Sequence, residues 1–239
     1  MAFCMQCGQQ IPQGATHICG DGQQVANSGT QAEASRPLTN DLTKAMKQVD
    51  GNVVLKLLKD PQYGLNLNPD KDFIYGILGL VASILGFTIW AGLLGMRIDS
   101  LFSGLLGLGG FGGDSIGGAF TGRMLLTAIL SIAALHGMLW LLGSWQGTNK
   151  LSFKAFITYA GSMHYLSGAG FVVAGLCALI SLISFSFLLI LINVSIMLVL
   201  SVIVSIDIFG VYREKRMVYT ASAIALYMVI LMIVTKIIL

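Results

Sequence analysis

Apolar runs fill the last two-thirds of the chain, and polar residues fill the first third. Phe73 to Met96 is an unbroken apolar run of 24 residues, long enough to cross a hydrocarbon core of about 30 Å as a helix. Arg123 to Trp145 predicts a second span. From Ala155 to Tyr212, 58 residues carry a single acidic residue, Asp207. One helix cannot use that length, so two spans joined by a tight hairpin near 181–187 are expected. Met217 to Leu239 predicts a fifth. The expected fold is an all-α polytopic membrane protein, with its five-span domain at 73–239.

The polar third divides by pattern. In 41–72, Leu42, Ala45, Met46, Val49, Val53, Val54, Leu57 and Leu58 follow an approximate helical period with Lys44, Lys47, Lys56 and Lys59 among them. This predicts an amphipathic juxtamembrane helix over 41–59, with Gly51 as a candidate break. Its lysines would meet anionic headgroups at the membrane interface; the alternative is docking on the protein's own cytoplasmic face. Residues 23–40 are rich in Gln, Ser, Ala, Asn and Gly and predict a disordered linker. Residues 1–22 hold Cys4-Met5-Gln6-Cys7-Gly8, two thiols at the spacing of a zinc knuckle. The second knuckle is incomplete: Cys19 is present, but Gly22 stands where a fourth Cys would complete it. Structural zinc takes four ligands, so Cys4, Cys7, Cys19 and His17 form the candidate set for zinc, with Asp21 a weaker substitute for His17. The alternative is a relic knuckle with three free thiols. Met1 to Gly20 lacks the basic and then apolar regions of a signal peptide, and reduced cysteines suit a cytosolic face. Cys177 lies inside an apolar run and reads as a packing residue.

Charge sharpens this division. The chain has 239 residues, is 55% hydrophobic and only 10% charged, against about 25% charged for a soluble domain. Thirteen of the 25 charges fall in residues 1–72. That composition excludes a nucleic-acid-binding globule, a secreted disulfide scaffold and a coiled coil. Basic residues orient the spans. With the N-terminus inside, the inside segments (1–72, 146–154 and 213–216) carry eleven Lys and Arg. The outside segments carry three: Arg97, Arg123 and Lys236. An N-in, C-out topology follows.

Glycine marks two further features. The segment 97–122 holds nine glycines between Gly104 and Gly122, interleaved with Leu, Ile and Phe. It reads as an outside loop on the outer interface, with a re-entrant element as the alternative. In span three, Gly161, Gly168 and Gly175 recur every seven residues, a stripe that lets another helix approach closely. Packing within the chain is the expected use; a homodimer seam is the alternative.

Polar groups at membrane depth are functional candidates by default. His136, His164, Asn193 and Asp207 are these candidates. Asp207 lies near Arg213 and the cytoplasmic interface, and Lys236 can snorkel outward from the last turn. A proton relay would need a carboxylate beside the histidines, and the sequence places none at their depth. Gly113-Asp114-Ser115-Ile116-Gly117-Gly118 imitates a serine-protease motif with an inserted Ile. Gly112-Gly113-Asp114 approaches an intramembrane aspartyl-protease motif with Phe111 at the Gly position. No Walker loop, H-E-x-x-H or G-x-S-x-G occurs, so no enzymatic activity is expected.

Leu57-Leu58-Lys59-Asp60-Pro61 ahead of span one, and the Gly147-to-Phe156 stretch followed by Tyr159-Ala160-Gly161, resemble bacterial members of the YIP family of five-span membrane proteins. The resemblance covers roughly 55–235 and rests mostly on hydropathy. Family members often carry an N-terminal zinc ribbon, and commonly a Pro after the Tyr-Gly stretch, where this chain has Tyr165-Leu166. The resemblance implies a bacterial cell-membrane protein acting beside a membrane partner, such as an ABC-type exporter in toxic-peptide resistance. Two functions are therefore carried forward. One is a non-enzymatic adaptor whose head and juxtamembrane helix bind another membrane protein. The other is a small channel or transporter with a path lined by His136, His164 and Asn193. The lipid bilayer is the common partner of both; nucleic acid is partner to neither.

Overall fold

The computed structural model describes residues 2–3, 10–11, 49–106 and 116–238. The chain divides into two compact units, Met1–Asp41 and Leu42–Leu239. In the first, strands β1 (Ala2–Phe3) and β2 (Gln10–Ile11) pair antiparallel, Ala2 opposite Ile11 and Phe3 opposite Gln10. Cys4, Cys7, His17, Cys19 and the linker lie outside the described residues, as do Lys44 and Lys47.

The second unit begins with helix α1 (Gly51–Lys59). Asp50 caps it: its carboxylate accepts the Asn52 N–H at 2.8 Å, satisfying one of the unpaired donors of the first turn. The amphipathic pattern has a definite use here. Leu57 is fully buried in a cluster with Leu67, Tyr75 and Tyr165, while Leu55, Lys56, Leu58 and Lys59 stay exposed. So α1 docks on the body of its own chain through one residue stripe. Asp50 donates its own N–H to the Tyr75 hydroxyl at 2.8 Å, which fixes the start of α1 against the next helix. A short 3-10 helix, Pro61–Asn66, follows, capped by Asp60.

The apolar runs form long helices: α2 (Phe73–Leu106), α3 (Ile116–Gln146) and α6 (Ile183–Phe209). With Arg213–Ile238, which includes α7 (Arg216–Ile238), four helical segments are long and apolar enough to cross a membrane. The pair α4 (Phe153–Ser162) and α5 (His164–Leu179), bent by 41° at Met163, makes five if it counts as one span. The described membrane region is thus all-helical. The helices pack side by side, α3 and α5 flanking α2, α6 beyond α5 and α7 beyond α3.

The segment 97–122, expected as an outside loop, is largely helix. Helix α2 continues to Leu106 and α3 begins at Ile116; residues 107–115 lie outside the described residues. The glycines here allow backbones to meet. A Cβ on Gly95 would lie 2.8 Å from the Gly117 carbonyl and 3.1 Å from its Cα. Asp99 accepts the Gly117 N–H at 2.9 Å, placing a carboxylate at the positive end of α3.

The two ends of the bundle differ. At one end the segment after α3 is hydrogen-bonded to the end of α6, and the 49–72 segment is tied to the start of α4 by an ion pair. The Asn149 N–H donates to Phe209 O at 3.0 Å, its side-chain amide to Ile208 O at 3.0 Å, and Thr148 Oγ1 to Gly210 O at 3.0 Å. Lys154 pairs with Asp70 at 3.1 Å. Gly210 closes α6 in the left-handed conformation at φ +62°, which glycine adopts without steric cost. At the other end Arg97 donates to the carbonyl of Leu179, the last residue of α5. The bent pair α4–α5 therefore runs from the rim to the far end, as α2 does.

Candidate functional site: a buried histidine pair and a nearby apolar pocket

His136 sits on α3, one turn after Ile132. Its Nδ1 donates to the Ile132 carbonyl at 2.9 Å; a carbonyl only accepts, so the proton is on Nδ1 and Nε2 carries a free lone pair. His164 is the first residue of α5, immediately after the bend at Met163. The bend turns this residue into the bundle. The two rings lie 4.7 Å apart between centroids, tilted by 55°, and Phe156 stands 6.0 Å from His136. Both histidines are 2% exposed. His136 Nε2 and His164 Nδ1 are buried with no hydrogen-bond partner among the described residues.

On the side of Ile132 lies a cavity of about 160 Å³. Five helices line it, through Phe87 (α2), Ser131 (α3), Phe171 (α5), Val194 and Met197 (α6) and Tyr227 (α7) among others. It is mainly apolar. Ser131 and Tyr227 share a hydroxyl hydrogen bond of 2.6 Å across it. On the side nearer the rim, Tyr219 of α7 donates to the Leu139 carbonyl at 3.2 Å and bonds Ser205 of α6. Phe156 and Phe209 pack in the same region, 5.7 Å between centroids.

The remaining candidates divide between helix packing and the surface. Asn193 Nδ2 donates to the Ser167 carbonyl at 2.8 Å and lies against Gly170, joining α6 to α5. Asp207 is 3.9 Å from Arg216, and both side chains are half exposed near the rim. The glycine stripe faces α2. A Cβ on Gly168 would meet the Ala82 carbonyl at 2.6 Å, one on Gly161 the Gly76 carbonyl at 2.5 Å, and one on Gly175 the Trp90 Cα at 3.1 Å. Lys56 lies over the Tyr63 ring at 5.4 Å, and Lys59 is exposed beside it. Among the described residues, no three His, Cys, Asp or Glu gather as metal ligands.

Serine pairings in the spans went unread in the sequence. Trp90 Nε1 donates to Ser186 Oγ at 2.9 Å, and Ser186 Oγ donates to the Ala174 carbonyl at 2.7 Å. Buried Ser83, Ser162, Ser167, Ser186, Ser201 and Ser205 all fall in apolar runs; a small hydroxyl residue in such a run is the available signal.

The long apolar helices and the charge-poor interior are those of a polytopic membrane protein whose described membrane region is all-helical. No family model, curated protein or solved structure matches the chain.

Proposed function

We propose that this chain is a non-enzymatic integral membrane accessory protein that acts by binding another membrane protein. The observation that carries the reading is the rim. Segments 147–149 and 208–210, distant in sequence, are hydrogen-bonded together, Asp70 of the 49–72 segment pairs with Lys154 at the start of α4, and Lys56, Lys59, Lys150, Lys154, Arg213 and Lys215 stand exposed there. A pre-organised surface loses little entropy on binding, and its charge suits an acidic partner face or anionic headgroups. In the five-span, N-in and C-out reading this rim faces the cytoplasm, where positive residues concentrate. The YIP resemblance points to a bacterial inner membrane and to an ABC-type exporter as the class of partner.

The head is read as a zinc knuckle held by Cys4, Cys7, Cys19 and His17. The β1–β2 pairing brackets Cys4 and Cys7 in sequence, as a knuckle hairpin would. One zinc per full-length chain, lost in Cys7→Ser, is the expected result of metal analysis; no zinc in the parent contradicts it.

Purification from native membranes in mild detergent tests the main reading. A second integral membrane protein in fixed ratio is expected, lost from the Lys56→Glu/Lys59→Glu variant, which still runs as a folded monodisperse species. A chain that purifies alone contradicts the reading. The second reading, a small channel or transporter, is favoured by the meeting of His136 and His164. It predicts ion or solute flux in proteoliposomes of the protein alone, abolished by His136→Ala. Asn193, the third residue of that path, donates its Nδ2 to the Ser167 carbonyl.

A further inference from the structure

We propose that the pocket beside Ser131 and Tyr227 binds one small, uncharged aromatic molecule with a single carbonyl group, which reaches it through the bilayer. The helices set its depth. Ser131 is the middle residue of α3 (Ile116–Gln146). The pocket it lines therefore lies about 22 Å along the helix from either end, at the level of the hydrocarbon core. Its floor is buried, with Ile132, Phe171, Met197 and Tyr227 each less than a tenth exposed. Ser131, Val194 and Leu231 are only partly buried, so the pocket opens sideways. Among the described residues, the hydrogen bonds and ion pairs that join α6 to α7 lie at the rim end, Ser205 with Tyr219 and Asp207 with Arg216. The pocket lies further along, between Val194 and Met197 of α6 and Tyr227 and Leu231 of α7. A guest at that depth arrives from the membrane and not from water.

The walls choose the guest. The hydrogen bond of 2.6 Å between the Ser131 and Tyr227 hydroxyls uses one of their two protons, since each hydroxyl carries one. Neither hydroxyl donates to any other acceptor among the described residues. One O–H donor is therefore left over, at a residue pair of which Tyr227 is 3% exposed. Buried donors are normally satisfied, and a carbonyl oxygen supplies the missing acceptor without bringing a donor of its own. Thr127, the remaining hydroxyl among the lining residues, gives its proton to the Arg123 carbonyl at 2.8 Å. A second carbonyl on the guest would find no donor and would be buried unpaired. Phe87 and Phe171 meet edge to face, 5.2 Å between centroids, and form an aromatic wall that favours a ring as the apolar part. Size limits the guest to one ring: drug-sized ligands fill about 300–1,000 Å³, and this pocket has about 160 Å³.

The test uses the full chain in detergent and fluorine NMR, with para-trifluoromethyl acetophenone as the probe. Para-trifluoromethyl ethylbenzene, the same ring without the carbonyl, is the control, and affinities are referred to each compound's mole fraction in the micelle. A protein-bound resonance distinct from the micelle resonance is expected, saturating at one probe per chain. The ketone is expected to bind about threefold to tenfold more tightly than the hydrocarbon, as one hydrogen bond would give. In Ser131→Ala/Tyr227→Phe, which removes both partners of the hydroxyl pair and so leaves no orphan, the two compounds should bind equally. Ala128→Phe, which places a ring where Ala128 lines the pocket, should abolish the bound resonance of both. Absence of a saturable bound resonance in the parent chain overturns the proposal. So does equal binding of the two compounds by the parent chain, which would make the pocket a seat for any apolar guest, a lipid chain included. Both of these readouts stand even if no variant folds. A ketone preference kept by the double variant, or a bound resonance unchanged in folded Ala128→Phe, also overturns it.

Discussion

Ser186 is a one-atom bridge between three helices, taking the Trp90 N–H and giving its own proton to Ala174 O. Hydrogen bonds inside membranes average about 0.6 kcal/mol, and an orphaned donor raises that cost towards about 1–3 kcal/mol. We expect Ser186→Ala to lower stability by about 1 kcal/mol in a thermal melt in detergent. Gly168 acts by having no side chain. A Leu there would drive its Cβ into the Ala82 backbone, which cannot give way as a flexible side chain would. Overpacking costs about 1–3 kcal/mol, so Gly168→Leu should lower the melting point more than Gly122→Leu, where a Cβ meets nothing. Each intramembrane polar residue was visible singly in the sequence. Their pairing was not: it depends on which helices are neighbours and on the bend at Met163, neither of which hydropathy encodes.

At the scale of elements, helix centres were legible and helix ends were not. The apolar runs from Phe73, Arg123 and Met217 all became helix, because an unbroken run of that length has no other way to satisfy its backbone in lipid. The segment 97–122 misled because nine glycines imply flexibility in isolation. In the structure Gly95 and Gly117 bring two backbones together and Asp99 holds the start of α3, a tertiary use of glycine that composition does not reveal. Helix α1 shows the same limit. Its amphipathic face was legible, but the docking of Leu57 against Leu67, Tyr75 and Tyr165 was one of two open uses. Leu57→Ala removes the one fully buried side chain of α1. Core Leu→Ala changes cost about 2–5 kcal/mol, enough to undock a nine-residue helix. Limited trypsin digestion should then cleave at Lys56 or Lys59 much faster than in the parent chain; unchanged cleavage would mean that α1 is held by something other than Leu57.

At the scale of the whole molecule, the scarcity of charge proved to be a distribution. Basic residues collect on the rim, and the far end keeps Arg97 engaged with the end of α5. The contacts of Asn149 with Ile208 and Phe209 put the segments after α3 and after α6 at one end. The turn at 180–182, next to Arg97, lies at the other. If α4 and α5 were re-entrant in the membrane, that turn would share a side with the 147–152 segment, and α6 would carry 210–216 to the opposite side. The two arrangements separate in one measurement: labelling of single cysteines by a membrane-impermeant maleimide in intact and permeabilised cells. Lys150→Cys, Ser181→Cys and Glu214→Cys are introduced singly into the chain with its four native cysteines replaced. Ser181→Cys is expected to react in intact cells, while Lys150→Cys and Glu214→Cys react only after permeabilisation. Protection of Ser181→Cys alongside Lys150→Cys, or labelling of Glu214→Cys from outside, would contradict it.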